Sequence, residues 1–164
     1  MKVGFVSLGC PKNQLDTEVM LHEVLQAGYE ITPEESEADI VIINTCAFIE
    51  SAKQEAIDNI LDVAWLKKNA DLKAIVVTGC LAERYKDEIQ TEIPEVDAII
   101  GTTAIDAIVE VLEWVLDGKG QNWWCVVFPS LCVPATTEGF ADTARIFLKK
   151  DIKEAVERID IGAY

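Results

Sequence analysis

Histidine is almost missing from this sequence: His22 is the single one. One imidazole cannot build a three-histidine zinc site. None follows a strand-like segment, as a cobalamin module would need. Positive charge is also scarce. Lysine plus arginine total 14 against 29 aspartates and glutamates, a formal net charge of −15. Such a chain repels phosphate backbones, which disfavours nucleic-acid binding on its own and attracts basic protein partners. No apolar run approaches the ~20 residues that span a bilayer. The N-terminus, Met1-Lys2-Val3-Gly4-Phe5, enters a strand-like pattern without a secretory apolar core and cleavage site, so the expected compartment is the cytoplasm. Two glycine signatures are missing too: the Gly-x4-Gly-Lys-Ser/Thr phosphate loop and the dinucleotide Gly-x-Gly-x-x-Gly.

What is present suits a folded protein. Half of the 164 residues are hydrophobic. That is a globular share, enough for one compact domain with a short appendage. Val3 to Leu8 reads as a strand. Helical periodicity follows through Leu15, Val19, Leu21 or His22, Val24 and Leu25, and Gly28 stops that helix. The acidic stretch 32–39 reads as a solvated loop. Ile40-Val41-Ile42-Ile43 and Ala74-Ile75-Val76-Val77 are continuous apolar runs, as expected of strands buried on both faces. Helical patterns follow at 52–64 and 81–89, then a fourth strand at 96–100 and an amphipathic helix at 104–115. Four alternations predict an α/β fold: a three-layer open parallel sheet of four or five strands, with helices on both faces. The flavodoxin-like order 2-1-3-4 is expected, with the first strand in the middle.

Five cysteines in a reducing compartment suggest ligands, catalytic thiols or buried packing before a disulfide framework. Cys10, Cys46 and Cys80 each fall one to three residues after a predicted strand and just before a helix. Ligands of open parallel sheets bind beyond the carboxyl ends of the strands. On adjacent strands, about 4.8 Å apart, three sulfurs there can converge on one small object. Helix N-termini favour thiolates and an anionic cofactor, and Gly9 and Gly79 allow tight turns beside it. Any one of these cysteines alone reads as a small packing residue; three at equivalent strand ends read as a site. Structural zinc wants four ligands, whereas a four-iron cluster held by three cysteines keeps one iron open. The trio therefore points toward an iron–sulfur cluster that binds something. A zinc or thiol redox module at the same positions is the alternative from another class.

Three sequence blocks sharpen this. Ser7-Leu8-Gly9-Cys10-Pro11-Lys12-Asn13 with Asp16-Thr17-Glu18, then Asn44-Thr45-Cys46-Ala47-Phe48-Ile49, then Thr78-Gly79-Cys80-Leu81-Ala82-Glu83-Arg84-Tyr85 resemble the N-terminal domain of the methylthiotransferases. These are radical S-adenosylmethionine enzymes. The Gly-Cys-Pro-Lys-Asn and Asn-Thr-Cys-Ala-Phe-Ile forms look most like the RimO type, and the resemblance covers residues 1 to about 117. It implies that Cys10, Cys46 and Cys80 hold an auxiliary [4Fe-4S] cluster whose open iron carries the sulfur or methylsulfur group. It also implies a radical S-adenosylmethionine cluster in a second domain, a small docking domain, and as target an aspartate of a small-subunit ribosomal protein. A tRNA adenosine methylthiotransferase is the alternative within the family.

The two halves of the chain differ. Residues 1–120 are expected to be the cluster-binding domain. Residues 121–164 do not match the family continuation. They hold Trp123, Trp124 and Phe128, one helical pattern through Ile152, Ala155, Val156 and Ile159, and the cysteines Cys125 and Cys132. No Cys-x3-Cys-x2-Cys spacing occurs, so the radical domain is expected to be absent and the chain alone inactive. Cys125 and Cys132 are expected to be packing or unstructured thiols. Pro11 is expected to set a helix start, and Asn13 to cap that helix rather than to bond a cluster. For Asn44 both a turn role and a cluster contact remain open.

Overall fold

A computed structural model describes residues 1–117. The sequence features at 121–164, among them Trp123, Trp124, Phe128, Cys125, Cys132 and the helical pattern at 152–159, lie outside the described residues. Five strands, β1 (Lys2–Ser7), β2 (Glu30–Thr32), β3 (Ile40–Thr45), β4 (Ala74–Gly79) and β5 (Ala98–Ile100), form one sheet in the order β2-β1-β3-β4-β5. Every neighbouring pair is parallel. Three α-helices connect the strands, α1 (Pro11–Gln26), α2 (Glu50–Asn69) and α3 (Cys80–Glu92), and α4 (Ile108–Leu116) follows β5.

The apolar runs make the sheet for the reason the sequence suggests. All six residues of β3 and all six of β4 are buried, because each face of the sheet carries helices. Side chains alternate between the faces. Val41, Ile43, Ile75 and Val77 pack with Ile57, Ile60, Leu81 and Ile89 of α2 and α3. Ile40, Ile42, Val76 and Ile100 pack with Met20, Val24, Ile108 and Leu112 of α1 and α4. Each such side chain contributes about 1.5–3 kcal/mol by leaving water.

The order is the flavodoxin-like one, but a short strand changes which residues sit in the middle. β2 has only three residues, bordered by acidic loop, so it carries too little apolar pattern to be read in advance. It takes the outer place beside β1. The strand ending before Cys46, not the one ending before Cys10, therefore lies in the middle of the cysteine trio.

Helix α1 also differs from its pattern. Leu15, Val19 and Leu25 are exposed, and His22 lies on the surface as expected. The buried stripe is Asn13, Thr17, Met20 and Val24. Two polar residues take core positions because both find hydrogen-bond partners there. Pro11 opens the helix, and Gly28, at φ +87°, follows its end as predicted.

Candidate metal centre

Cys10, Cys46 and Cys80 all emerge at the carboxyl rim of three contiguous strands, β1, β3 and β4. The two outer strands of the three lie two strand spacings, about 10 Å, apart. Cys10 stands at the N-cap of α1, and Cys80 is the first residue of α3. Cys46 lies buried in the loop between β3 and α2. Cys10 is exposed and Cys80 half-buried, so the rim opens to solvent from the Cys10 side.

Two glycines let the loops come this close. Gly9 has φ +100°, and a Cβ there would lie 2.5 Å from Cys46 Cβ and 3.0 Å from Cys46 Sγ. The β1–α1 turn thus touches Cys46 with bare backbone. Gly79, at φ +95° and ψ −163°, does the same between β4 and α3. Its backbone conformation is essentially restricted to glycine.

The thiols differ electrostatically. No side chain caps α1. Instead the backbone N–H groups of Asn13 and Lys12 face the Cys10 sulfur and hold its thiol below the ordinary range, with the Lys12 charge assisting. Burial pushes the Cys80 thiol up, and negative charge on Cys46 and Cys10 pushes it further, against Arg84 and Lys12. Cys80 therefore feels both other sulfurs. Three anionic thiolates in one rim repel one another until a cation joins them. In the metal-free, reduced chain, Cys10 is expected to alkylate first, with its pH–rate midpoint below the ~8.5 of a free thiol. Cys80 should follow at higher pH. Iodoacetamide labelling resolved by mass spectrometry reads the order, and a Cys80 rate rising before that of Cys10 would contradict this assignment.

A polar row ends the three strands, buried at Asn44 and Thr78 and exposed at Ser7. Ser7, Asn44 and Thr78 are register partners on β1, β3 and β4 and so share one face. Ser7 Oγ and Thr17 Oγ1 are 3.0 Å apart. Asn44 Nδ2 donates to Asn13 O at 2.8 Å and to Thr17 Oγ1 at 3.0 Å. Asn13 does not cap α1. Its Nδ2 donates to Leu8 O at 3.0 Å and Thr45 O at 2.9 Å. Thr78 Oγ1 is buried with no hydrogen-bond partner among the described residues. Sequence reasoning missed Arg84, whose Nη1 donates to Ala47 O at 3.3 Å. It also missed the apolar pair Phe48 and Ile49, which stand exposed just past Cys46. The available signal for the polar floor was the i, i+4 pair Asn13 and Thr17, which continues the helix face of Met20 and Val24.

Among the described residues, no group of three or more His, Cys, Asp or Glu side chains is arranged to hold a single metal ion. The three sulfurs share a rim without closing on one point. No helix of the described residues is long and apolar enough to cross a membrane.

The family model described as "Uncharacterized protein family UPF0004" matches residues 2–101. The chain belongs to this family. A second model, stage II sporulation protein R, matches residues 109–138, a span that starts in α4 and runs beyond the described residues. The UPF0004 domain is similar to curated proteins named "Ribosomal protein uS12 methylthiotransferase RimO". The one from Lachnoclostridium phytofermentans is 56% identical over 119 residues, 73% of this chain and 27% of the relative. The one from Solibacter usitatus is 51% identical over 113 residues, 69% of this chain and 24% of the relative. The one from Clostridioides difficile is 50% identical over 113 residues, 69% of this chain and 26% of the relative. Over the matched residues the chain is similar to RimO-type methylthiotransferases, and it spans about a quarter of the length of these relatives.

Proposed function

We propose that Cys10, Cys46 and Cys80 hold an auxiliary [4Fe-4S] cluster with one open iron, in a domain serving methylthiolation of an aspartate on ribosomal protein uS12. The observation that carries this is the emergence of all three cysteines at one rim, from contiguous strands β1, β3 and β4. The donor set fits the group. Thiolates are the usual ligands of iron–sulfur clusters, and three of them leave the fourth iron free. A cubane presents its irons at separate corners, which suits sulfurs that do not meet at one point. Bare backbone at Gly9 and Gly79 keeps Cβ atoms out of the rim, and Thr78 Oγ1 is a buried donor still unused. When bound, such a cluster supplies an open coordination position for a sulfur group.

The protein's own contribution is the arrangement. Helix N-termini at Cys10 and Cys80 favour the anionic ligands. Exposure of Cys10 leaves the rim reachable by a second domain or by substrate. The net charge of −15 suits a basic protein target. Domain division follows the same reading: residues 1–120 form the cluster-binding unit, and the sequence of 121–164 does not match the family continuation. In the whole enzyme a radical S-adenosylmethionine cluster activates the target carbon. The present 164 residues have no second cysteine set of Cys-x3-Cys-x2-Cys spacing, so they do not catalyse the reaction by themselves.

Anaerobic reconstitution with iron and sulfide tests the proposal. About four irons per chain and a broad absorbance near 400 nm are expected of a cubane. A colourless protein that retains one zinc would overturn it in favour of a zinc module.

A further inference from the structure

We infer that Asn13 is the positioning residue of the sulfur trio: together with Arg84 it grips the two carbonyls that flank Cys46 and ties that loop to the helices starting at Cys10 and Cys80. The inference rests on the proposed role of the trio as a joint ligand set.

The geometry is specific. Thr45 and Ala47 stand on either side of Cys46. Thr45 O accepts from Asn13 Nδ2, on the helix whose N-cap is Cys10. Ala47 O accepts from Arg84 Nη1, on the helix whose first residue is Cys80. Asn13 also holds Leu8 O, in the turn before Cys10, so one amide group joins two of the three cysteine loops. A would-be Cβ on Gly9 lies 3.4 Å from Asn13 Nδ2, so the amide packs directly against that turn.

The chemistry explains why asparagine is used. Two carbonyls converge on a single nitrogen, so that atom must carry two hydrogens. Aspartate has none to offer, and serine has one. Both Asn13 hydrogens are engaged by carbonyls, and both Asn44 hydrogens by Asn13 O and Thr17 Oγ1. Neither amide has a hydrogen left for a cluster sulfur. Asn13 is only 2% exposed, and loss of its donors leaves two carbonyls unmet in a confined site. The loops then separate, and Cys46 opens.

The test uses the full chain. In the metal-free reduced protein, iodoacetamide labelling of Cys46, resolved by mass spectrometry, should speed up at least tenfold in Asn13→Asp. Asn13→Ser keeps one donor and should give an intermediate rate. Thr17→Ala removes neighbouring buried hydrogen bonds but leaves Leu8 O and Thr45 O gripped, so its Cys46 rate should stay within twofold of the native one. After reconstitution, the reduced-state electron paramagnetic resonance g values of Asn13→Ser should differ from native, and those of Thr17→Ala should match. Equal Cys46 opening in Thr17→Ala and Asn13→Asp, or a native rate in Asn13→Ser, would overturn the assignment. If Asn13→Asp does not fold, Asn13→Ser decides. If the native chain takes up no cluster, the ligand-set proposal fails, while the labelling of the metal-free chain still decides the role of Asn13.

Discussion

Gly79→Ala is expected to lower the melting temperature by about 15 °C, from a loss of roughly 3–5 kcal/mol. Two effects add. The backbone at φ +95° and ψ −163° costs a side-chain-bearing residue roughly 1–3 kcal/mol. The new Cβ also has nowhere to go. It would run into Thr45 O, lie 2.5 Å from Asn44 Oδ1 and 2.7 Å from Thr45 N, all on the neighbouring strand end. Backbone cannot step aside as a flexible side chain does, so β3 and β4 must part at the rim. Gly28→Ala is the matched control. Gly28 also has positive φ, +87°, but nothing within 4 Å of its would-be Cβ, so only the conformational cost of about 1–2 kcal/mol applies. Thermal unfolding followed by circular dichroism reads both. Equal shifts for the two variants would show that crowding at the rim contributes nothing.

The second large effect concerns the metal. Cys46→Ala is expected to cut iron retained after reconstitution from about four per chain to less than about one, with loss of the band near 400 nm. Cys46 comes from the middle strand, so its removal leaves two sulfurs on strands that are not neighbours. The fold should survive, because the lost side chain is small and losing it costs on the order of 1 kcal/mol. The double variant Cys125→Ser, Cys132→Ser should keep the full iron content. Full iron in Cys46→Ala, or its loss in the double variant, would contradict the assignment of ligands to Cys10, Cys46 and Cys80.

The sheet and the rim were legible because their signals are strong and local. The apolar runs at 40–43 and 74–77 are short and rich in isoleucine and valine, which reads as buried strands, and turn glycines stand beside two of the cysteines. The trio at strand ends was legible for the same reason. The middle strand was not. It depends on β2, three residues whose pairing with β1 is a tertiary event. Nor was the buried face of α1. Periodicity weighs leucine and valine, so it selected Leu15, Val19 and Leu25, all of which are exposed. The core positions Asn13 and Thr17 are polar, and their burial follows from partners on β1 and β3 that no helical pattern reveals. Arg84 escaped notice because its partner is a backbone carbonyl, which has no sequence signature.

The fourth strand delivers the third sulfur, and this sets an order of events during synthesis. A nascent polypeptide that has reached β3 offers at most two thiolates, from Cys10 and Cys46. Parallel strands pair only after their crossover helix is complete. β4 therefore docks only after all of α2 has left the ribosome, and Cys80 comes with it. If the trio holds iron as proposed, its delivery follows this docking, and donors that act on the emerging chain meet an incomplete receptacle.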